Sequence, residues 1–490
     1  MLNSLSSLNL TNAEAKDILL QMHNKQSILL NTDSYKVSMH KQYPEGTQYV
    51  YSYVASRGGK YDAVMHVGTS DFVKNVLLQP FTLQEIQVAD EYWRKQGLEF
   101  PKQQWIDLYN KYSGYLPVEV YAVPEGTVVP VKNAVAAIVN TDPDFWWITT
   151  WLETSFLRSI WYPSTVATNG FEIKKIIKSY LDKSGDVSGL AYKLHDFGAR
   201  GVSSYQSAAI GGAAHLINFY GTDTAQANMH IESLYETEEF NPVGTSIFAT
   251  EHSTITSWGQ PNELQAYKRM LELNKGGIFA CVSDSYNIYE ACKLWGSLAN
   301  EIISSGTTLV VRPDSGDPVV VIRKCFEILA EYFGTTLNSK GYKVLNNVRI
   351  IWGDGINENT IQSILRVVVD LDGFSADNVA FGMGGALLQL VGRDDQKFAM
   401  KCSAACVNGE WRDVFKDPIT DSGKSSLKGI VSLYKDSTGA FCTKRVEDAT
   451  DTDLHQLKIA YQLTGTELGI NINAAFQNFA EVRKIAESYL

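Results

Sequence analysis

Four short segments of this 490-residue chain combine residue types that can do chemistry. Arg312-Pro313-Asp314-Ser315-Gly316 sets a cation and a carboxylate two residues apart, and at a strand exit that spacing turns both side chains to one side. A guanidinium fork matches phosphate oxygens and a carboxylate accepts hydrogen bonds from a sugar diol. The same two groups can instead close an ion pair on each other. His252, in Ala249-Thr250-Glu251-His252-Ser253-Thr254, is one of eight histidines and has small polar neighbours. It can serve as nucleophile, base or cation near neutral pH, or simply as a hydrogen-bonded loop residue. Gly382-Met383-Gly384-Gly385 fits neither the Walker A pattern nor the dinucleotide fingerprint. Between a strand and a helix over 386–391, however, its amides can converge on a phosphate. In Leu194-His195-Asp196-Phe197-Gly198-Ala199-Arg200-Gly201 the glycines would let a planar ligand approach Phe197, with Arg200 adding a cation. The plainer use of that segment is core for Phe197 and surface charge for Arg200.

Such scattered residues meet only if the elements that carry them end together. Between about 165 and 390 short β-branched runs repeatedly stop at a glycine or acidic turn and give way to a helical stretch, which is α/β grammar. The clearest are 278–283 ending at Asp284, 308–311 ending at Arg312-Pro313-Asp314, 348–352 ending at Gly353-Asp354-Gly355, and 378–381 ending at Gly382. In a barrel of parallel strands the loops after the strand C-termini share one mouth. Any one of these ends also reads as an ordinary cap or turn; the run of four favours a shared site. Residues 1–24 read as a polar lead-in with one short helix. Over 25–165, strands such as 48–55 and 118–123 mix with amphipathic helices, an α+β pattern.

Composition bounds the class. With 44% hydrophobic and 20% charged residues the chain is globular, and 25 Tyr and 10 Trp offer bulk for cores and for stacking. A net charge of −11 argues against a nucleic-acid partner, which needs a broad cationic surface. Neither a basic and apolar leader nor a run of about 20 apolar residues occurs, so the expectation is a cytoplasmic protein without a membrane partner. The six cysteines lack zinc-site spacing and are expected to be reduced, buried and structural.

Longer stretches carry a resemblance. Thr32-Asp33-Ser34-Tyr35-Lys36-Val37, Lys41-Gln42-Tyr43-Pro44, Val123-Pro124-Glu125-Gly126, Ser159-Ile160-Trp161-Tyr162-Pro163, residues 193–204, Gly221-Thr222-Asp223-Thr224, residues 251–256, 282–286 and 312–316, and Val414-Phe415-Lys416-Asp417-Pro418 are similar to the nicotinamide phosphoribosyltransferase family. The match runs from about 30 to 480. The resemblance implies the type II phosphoribosyltransferase fold: α/β, an irregular (β/α) barrel over 166–400 with a second sheet-rich α+β domain formed from both chain ends, 25–165 and 401–490. It implies a homodimer with shared active sites, and nicotinamide, phosphoribosyl pyrophosphate and ATP as substrates.

Site residues follow from the same resemblance. Phe197 and the partner subunit's Tyr35 would sandwich the pyridine ring, and Asp223 would accept the amide N–H, which disfavours nicotinate. Arg200 and Arg312 would hold pyrophosphate, Asp314 the ribose hydroxyls, and Gly353, Asp354, Gly384 and Gly385 the sugar phosphate. The partner subunit's Arg393 and the partner subunit's Lys401 would complete the clamp; Asp33 and Ser246 belong to the same substrate-binding set. His252 would be phosphorylated by ATP with Asp284 orienting it. Mg2+ would be held by substrate phosphates rather than by a dedicated cage.

The chain departs from the family at Ala399, where a serine is common, in a shorter stretch at Gly58-Gly59-Lys60-Tyr61 and in a longer lead-in. Two competing functions are a nicotinate phosphoribosyltransferase, which must welcome a carboxylate where Asp223 stands, and an inactive binding or signalling protein of the same fold. The second would need a damaged site, whereas the histidine, its aspartate, both arginines and the stacking aromatics are present.

Overall fold

The computed structural model describes residues 10–237, 243–420, 426–464, 469–473, 476 and 478–490. The first nine residues of the expected lead-in lie outside that set. The short helix expected there is Asn12–Asn24, whose N-terminus is closed by a capping box between Thr11 and Glu14. The chain forms two compact units: 1–165 with 234–236 and 392–489, and 166–233 with 237–391 and 490.

The first unit is built on a seven-stranded antiparallel sheet. Its order is Glu410–Asp413, Phe398–Val407, Thr47–Ser56, Ala134–Asn140, Val118–Ala122, Lys458–Thr464 and Gly469–Ile472. The strands expected at 48–55 and 118–123 are two of these. Phe398–Val407, which straddles position 400, pairs with Thr47–Ser56 along its length. An aromatic cluster fills the core of this unit. Trp105 is fully buried and meets Phe81, Trp147 and Trp151 edge-on and Phe100 in a stack. Edge-on packing suits the ring quadrupoles.

The second unit carries the parallel strands. In chain order they are β1 (Leu194–Asp196), β2 (Gly221–Thr222), β3 (Phe248–Ala249), β4 (Ile278–Val282), β5 (Thr308–Arg312), β6 (Val348–Trp352) and β7 (Val379–Met383). Their order in the sheet is β2-β1-β7-β6-β5-β4-β3, with every neighbour parallel. The sheet closes on itself through one extended segment: Thr245 bridges to Gly221 beside β2, and three residues later Phe248 pairs with Phe279 of β4. With β2 and β3 only two residues long, the ring is an irregular (β/α) barrel. Inside it, Ala280, Val310 and Ile351 from successive strands pack with Phe197, Ile247 and Ala380.

The helices are amphipathic as the sequence predicts. Pro318–Phe333 starts at an Asp317 cap with Pro at its first position and stops at Gly334, whose φ is +70°. It buries Val321, Ile322, Cys325, Phe326, Leu329 and Phe333 on one face. Two expectations fail locally. The strand expected to end at Phe381 continues through Gly382 to Met383. The helix expected over 386–391 is a single turn, Gly385–Leu388, because the N–H groups of Gln389 and Leu390 both return to the Gly385 carbonyl and close it.

Cys281, Cys292, Cys325 and Cys406 are buried, Cys402 and Cys442 only partly so, and all six are free thiols. Cys442 is the open case because its strand, Phe441–Arg445, belongs to a small three-stranded sheet and is half-exposed throughout. Among the described residues no helix is long and apolar enough to cross a membrane.

Candidate active site at the barrel mouth

Every strand of the barrel delivers at least one of the candidate site residues at or just past its C-terminal end. Phe197 follows β1, Asp223 follows β2, and His252 lies just past β3. Asp284 lies just past β4, Arg312 ends β5 with Asp314 two residues on, Gly353 and Asp354 follow β6, and Gly384 and Gly385 follow β7. Ser246 sits in the segment that closes the ring, where its Oγ donates to Asp223 Oδ1 at 2.6 Å. Parallel strands ending on one rim bring together residues far apart in sequence.

Arg312 is the hub. Its Nη2 donates to Asp314 Oδ2 at 3.0 Å, and its guanidinium lies 5.3 Å from the centre of the Phe197 ring. The side chains of Arg312 and Asp314 are 20% and 21% exposed, so the pair is only partly screened by water. Both uses anticipated for this pair are therefore compatible: the two groups bind each other and face a space that can take a ligand. Arg312 Nε is buried and meets no acceptor among the described residues. A cavity of about 190 Å³ opens beside it, lined by Arg200, Glu251, His252, Ser253, Val282, Arg312 and Asp314. Two guanidinium groups and an imidazole share this small concave surface with two carboxylates, Glu251 and Asp314, so it offers donors for an anion beside acceptors for hydroxyl groups.

His252 is the first residue of a short helix, His252–Thr256, rather than a loop residue. Its Nε2 lies 2.9 Å from Asp284 Oδ1, and the second carboxylate oxygen of Asp284 accepts from Ser315 Oγ at 2.6 Å. Asp284 is nearly buried, at 6% side-chain exposure, while His252 is half-exposed at 48%. The arrangement is that of a histidine with one nitrogen held by an acid and the other left for chemistry.

The seat of the Phe197 ring is shaped by glycines. A Cβ on Gly382 would stand 1.9 Å from Phe197 Cε2, and one on Gly353 would stand 3.4 Å from the same atom and 3.2 Å from Asp314 Oδ1. Gly382 is thus inside a strand because Phe197 fills the space where its side chain would be. A Cβ on Gly384 would stand 3.4 Å from the Phe197 carbonyl oxygen, and Trp352 Nε1 donates to the Asp354 carbonyl at 2.6 Å, fixing the turn after β6.

Beneath Phe197 lies a carboxylate that the residue pattern did not single out. Asp196 is fully buried, accepts from Gly198 N–H at 2.7 Å, and its own carbonyl accepts from Asp223 N–H at 2.9 Å. Burial raises its pKa to about 6 against the help of the Gly198 N–H, while in neighbouring His195 loss of solvent lowers the imidazole to about 4. Ser315 and Gly382 were likewise visible only as members of motifs. Their partners, Asp284 and Phe197, lie 31 and 185 residues away, beyond any local pattern.

Asp33, Tyr35, Arg393 and Lys401 belong to the first unit. Asp33 Oδ2 accepts from Thr154 Oγ1 at 2.6 Å, and Tyr35 presents its ring to solvent at 60% exposure. The neighbouring Lys36 is buried in an ion pair with Glu153 at 2.6 Å, which pins the segment below that ring. Lys401 lies on the strand Phe398–Val407 opposite Tyr53, and Ala399 is buried opposite Ala55. The Lys401 pKa is lowered, first by burial and then by Arg57, Lys416 and Arg393, with Glu153 opposing. An ammonium among cations gains most from a bound anion.

Residues 192–464 match the model of the nicotinate phosphoribosyltransferase (NAPRTase) family, and residues 27–120 that of the nicotinamide phosphoribosyltransferase N-terminal domain. A nicotinamide phosphoribosyltransferase of Xanthomonas campestris pv. campestris is 50% identical over 428 residues, covering 86% of this chain and 90% of the relative. One of Acinetobacter baylyi is 32% identical over 448 residues, 83% and 88% of the two chains. Among solved structures, nicotinate-nucleotide pyrophosphorylase from Pyrococcus furiosus superposes with a TM-score of 0.60 at 16% identity, over 99% of this chain and 97% of that one. Human nicotinic acid phosphoribosyltransferase gives 0.53 at 16% identity over 93% of each. At that identity the structural likeness is one of fold, the type II phosphoribosyltransferase fold, whereas the sequence matches span most of the chain. The chain belongs to the nicotinamide phosphoribosyltransferase family of pentosyltransferases.

Proposed function

We propose that the chain transfers the phosphoribosyl group of phosphoribosyl pyrophosphate to nicotinamide, giving nicotinamide mononucleotide and pyrophosphate, in NAD biosynthesis or salvage in the cytoplasm. The observation that carries this is the cavity where Arg200, Arg312, Asp314 and His252 face one another. In the reaction the pyridine nitrogen attacks ribose C1 as the C1–O bond breaks and pyrophosphate departs with the electron pair. Positioning and stabilisation of the departing charge do most of the work. Arg200 and Arg312 hold the pyrophosphate, and Asp314 accepts from the ribose hydroxyls. Gly353, Asp354, Gly384 and Gly385 leave backbone room for the sugar phosphate. Phe197 stacks on the ring, and the partner subunit's Tyr35 covers its other face in a homodimer with shared sites. The partner subunit's Arg393 and the partner subunit's Lys401 close on the phosphates, and Asp33 and Ser246 complete the substrate-binding set.

Selection of the amide falls to Asp223. Ser246 already donates to one of its oxygens, which leaves the other to accept the amide N–H. Nicotinate would set a second carboxylate there, and like charges in a partly dry cleft repel. Mg2+ would be held chiefly by the pyrophosphate oxygens and would supply charge neutralisation there. Asp284 and Asp314 are already engaged by His252, Ser315 and Arg312, so the chain offers oxygen ligands only as supplements to those of the substrate.

ATP acts through His252. With Nε2 donating its proton to Asp284, the Nδ1 lone pair attacks the γ-phosphorus, ADP leaves, and water later releases phosphate from the histidine. Incubation with phosphoribosyl pyrophosphate, Mg2+ and equal nicotinamide and nicotinate tests the reading. Nicotinamide should be consumed much faster, and ATP should raise that rate in wild type but not in H252A. A preference for nicotinate, or ATP stimulation surviving H252A in full, would overturn it.

A further inference from the structure

We propose that Ser315 is a positioning residue that couples occupancy of the phosphoribosyl half of the site to phosphorylation of His252, by clamping the Asp284 carboxylate from the loop that carries Arg312 and Asp314. The inference rests on the phosphohistidine reading above and names the link between its two halves.

One carboxylate group joins three strand exits. Asp284, after β4, lies with Oδ1 2.9 Å from His252 Nε2 and accepts from Ser315 Oγ on Oδ2 at 2.6 Å. The terminal torsion of an aspartate is soft, so one hydrogen bond fixes a distance but not the plane of the group. The second bond fixes the plane, and with it the direction in which the imidazole presents Nδ1. The Asp284 side chain is nearly buried while Ser315 is exposed, and a hydrogen bond to a carboxylate is stronger than one between neutral groups.

The loop that supplies Ser315 is held at both ends. Arg312 closes β5, and Asp317 caps the helix Pro318–Phe333 by accepting from Val320 N–H at 3.0 Å. Between them Gly316 has φ +93°, a turn that points Ser315 towards Asp284 while Asp314 faces Arg312. The Arg312–Asp314 pair is the element a ligand loads, because a pyrophosphate claims the remaining guanidinium N–H groups and a ribose diol claims the carboxylate. Ser315 is covalently next to Asp314, so any shift of Asp314 reaches Asp284 through one peptide unit and one hydrogen bond. Two ligands that both bias that link have reciprocal effects on each other's binding.

The test uses the full chain as purified, comparing wild type, S315A and S315T for nicotinamide mononucleotide formed per ATP hydrolysed. KM for phosphoribosyl pyrophosphate is measured with and without ATP, and acid-labile phosphoenzyme is quantified. Wild type should show a large drop in that KM when ATP is present. In S315A the drop and the product-to-ATP ratio should each fall by about tenfold, the effect expected of one hydrogen bond to a charged group. S315T, which keeps the hydroxyl, should recover most of both. Coupling in S315A equal to wild type overturns the inference while H252A still tests the phosphohistidine separately. S315T as uncoupled as S315A, with an unchanged thermal midpoint, overturns it too by showing that the hydroxyl is not what matters. No effect of ATP on wild type removes both readings together.

Discussion

Gly382 and Phe197 occupy one space: a Cβ on Gly382 would stand 1.9 Å from Phe197 Cε2 and 2.1 Å from Cδ2. The Phe197 ring, the proposed stacking platform, is therefore seated by the absence of a side chain on β7, and its height above the barrel is set by that strand's backbone. G382A should push the ring outward or force the strand to shift. Overpacking of this kind costs about 1–3 kcal/mol of stability. The functional cost should be larger, with kcat/KM for nicotinamide falling about 100-fold, since an orientation error of an ångström is severe for in-line attack. Steady-state kinetics beside a thermal melt separate the two, and wild-type kinetics in a folded G382A protein would deny Phe197 its role.

Arg312 makes contacts that a lysine cannot copy. It pairs with Asp314, lies over Phe197, and has a buried Nε still without an acceptor among the described residues. A planar fork can serve a ring face, a carboxylate and a phosphate together, where an ammonium is a single point charge. R312K should keep the fold and raise KM for phosphoribosyl pyrophosphate about 10- to 100-fold, the worth of one or two charge-assisted hydrogen bonds. Its effect on nicotinamide binding, measured by calorimetry without the second substrate, should be small but real through the loosened ring. Identical phosphoribosyl pyrophosphate kinetics in R312K would refute the assignment.

His195 and Asp196 titrate in opposite senses, and their effects on stability should cancel. In the folded chain Asp196 holds its proton up to about 6 and His195 loses its proton near 4, whereas the unfolded chain has ordinary values near 4 and 6.5. Between pH 4 and 6 each state binds one proton on the pair, so the wild-type pair contributes no slope. In D196N only His195 remains; the unfolded state then binds more protons, and stability should rise with pH across this window. In H195Q only Asp196 remains; the folded state binds more, and stability should fall as pH rises. Urea midpoints at pH 4.5 and 6, taken relative to wild type, measure both signs. Shifts of the same sign in the two variants would rule out the pairing.

The barrel was legible because its strands end on chemistry. Runs such as 308–311 and 348–352 are β-branched and bounded by Asp or Gly, and the structure has strands there, Thr308–Arg312 and Val348–Trp352. Short strands were not legible. Gly221–Thr222 and Phe248–Ala249 are two residues each, too short for any period, and are held by neighbours rather than by propensity. The His252–Asp284 contact was anticipated from resemblance, not from pattern, since 32 residues separate the two. The helix expected after the glycine segment failed because good helix formers in 386–391 were outvoted by a turn that closes on Gly385. Asp196 and Ser315 escaped notice for a common reason: a buried carboxylate and a single hydroxyl acquire meaning only from what they touch.

Sharing of sites between subunits gives the last expectation. Tyr35 is a large aromatic side chain left 60% exposed beside Lys36, whose buried ammonium pairs with the partly exposed Glu153, so its ring is free to meet a second flat group. Asp314 stands at the barrel mouth. If each site takes Tyr35 from one chain and Asp314 from the other, Y35A and D314A homodimers are both impaired at every site. A mixed dimer concentrates both lesions in one site and leaves the second intact. Random exchange makes half the dimers mixed, so activity should recover to about a quarter of wild type. Subunits labelled with two fluorophores report the exchange, and activity is assayed before and after mixing. Full exchange with no recovery would mean that one chain supplies both residues to its own site, and Tyr35 would then need another reason for its exposure.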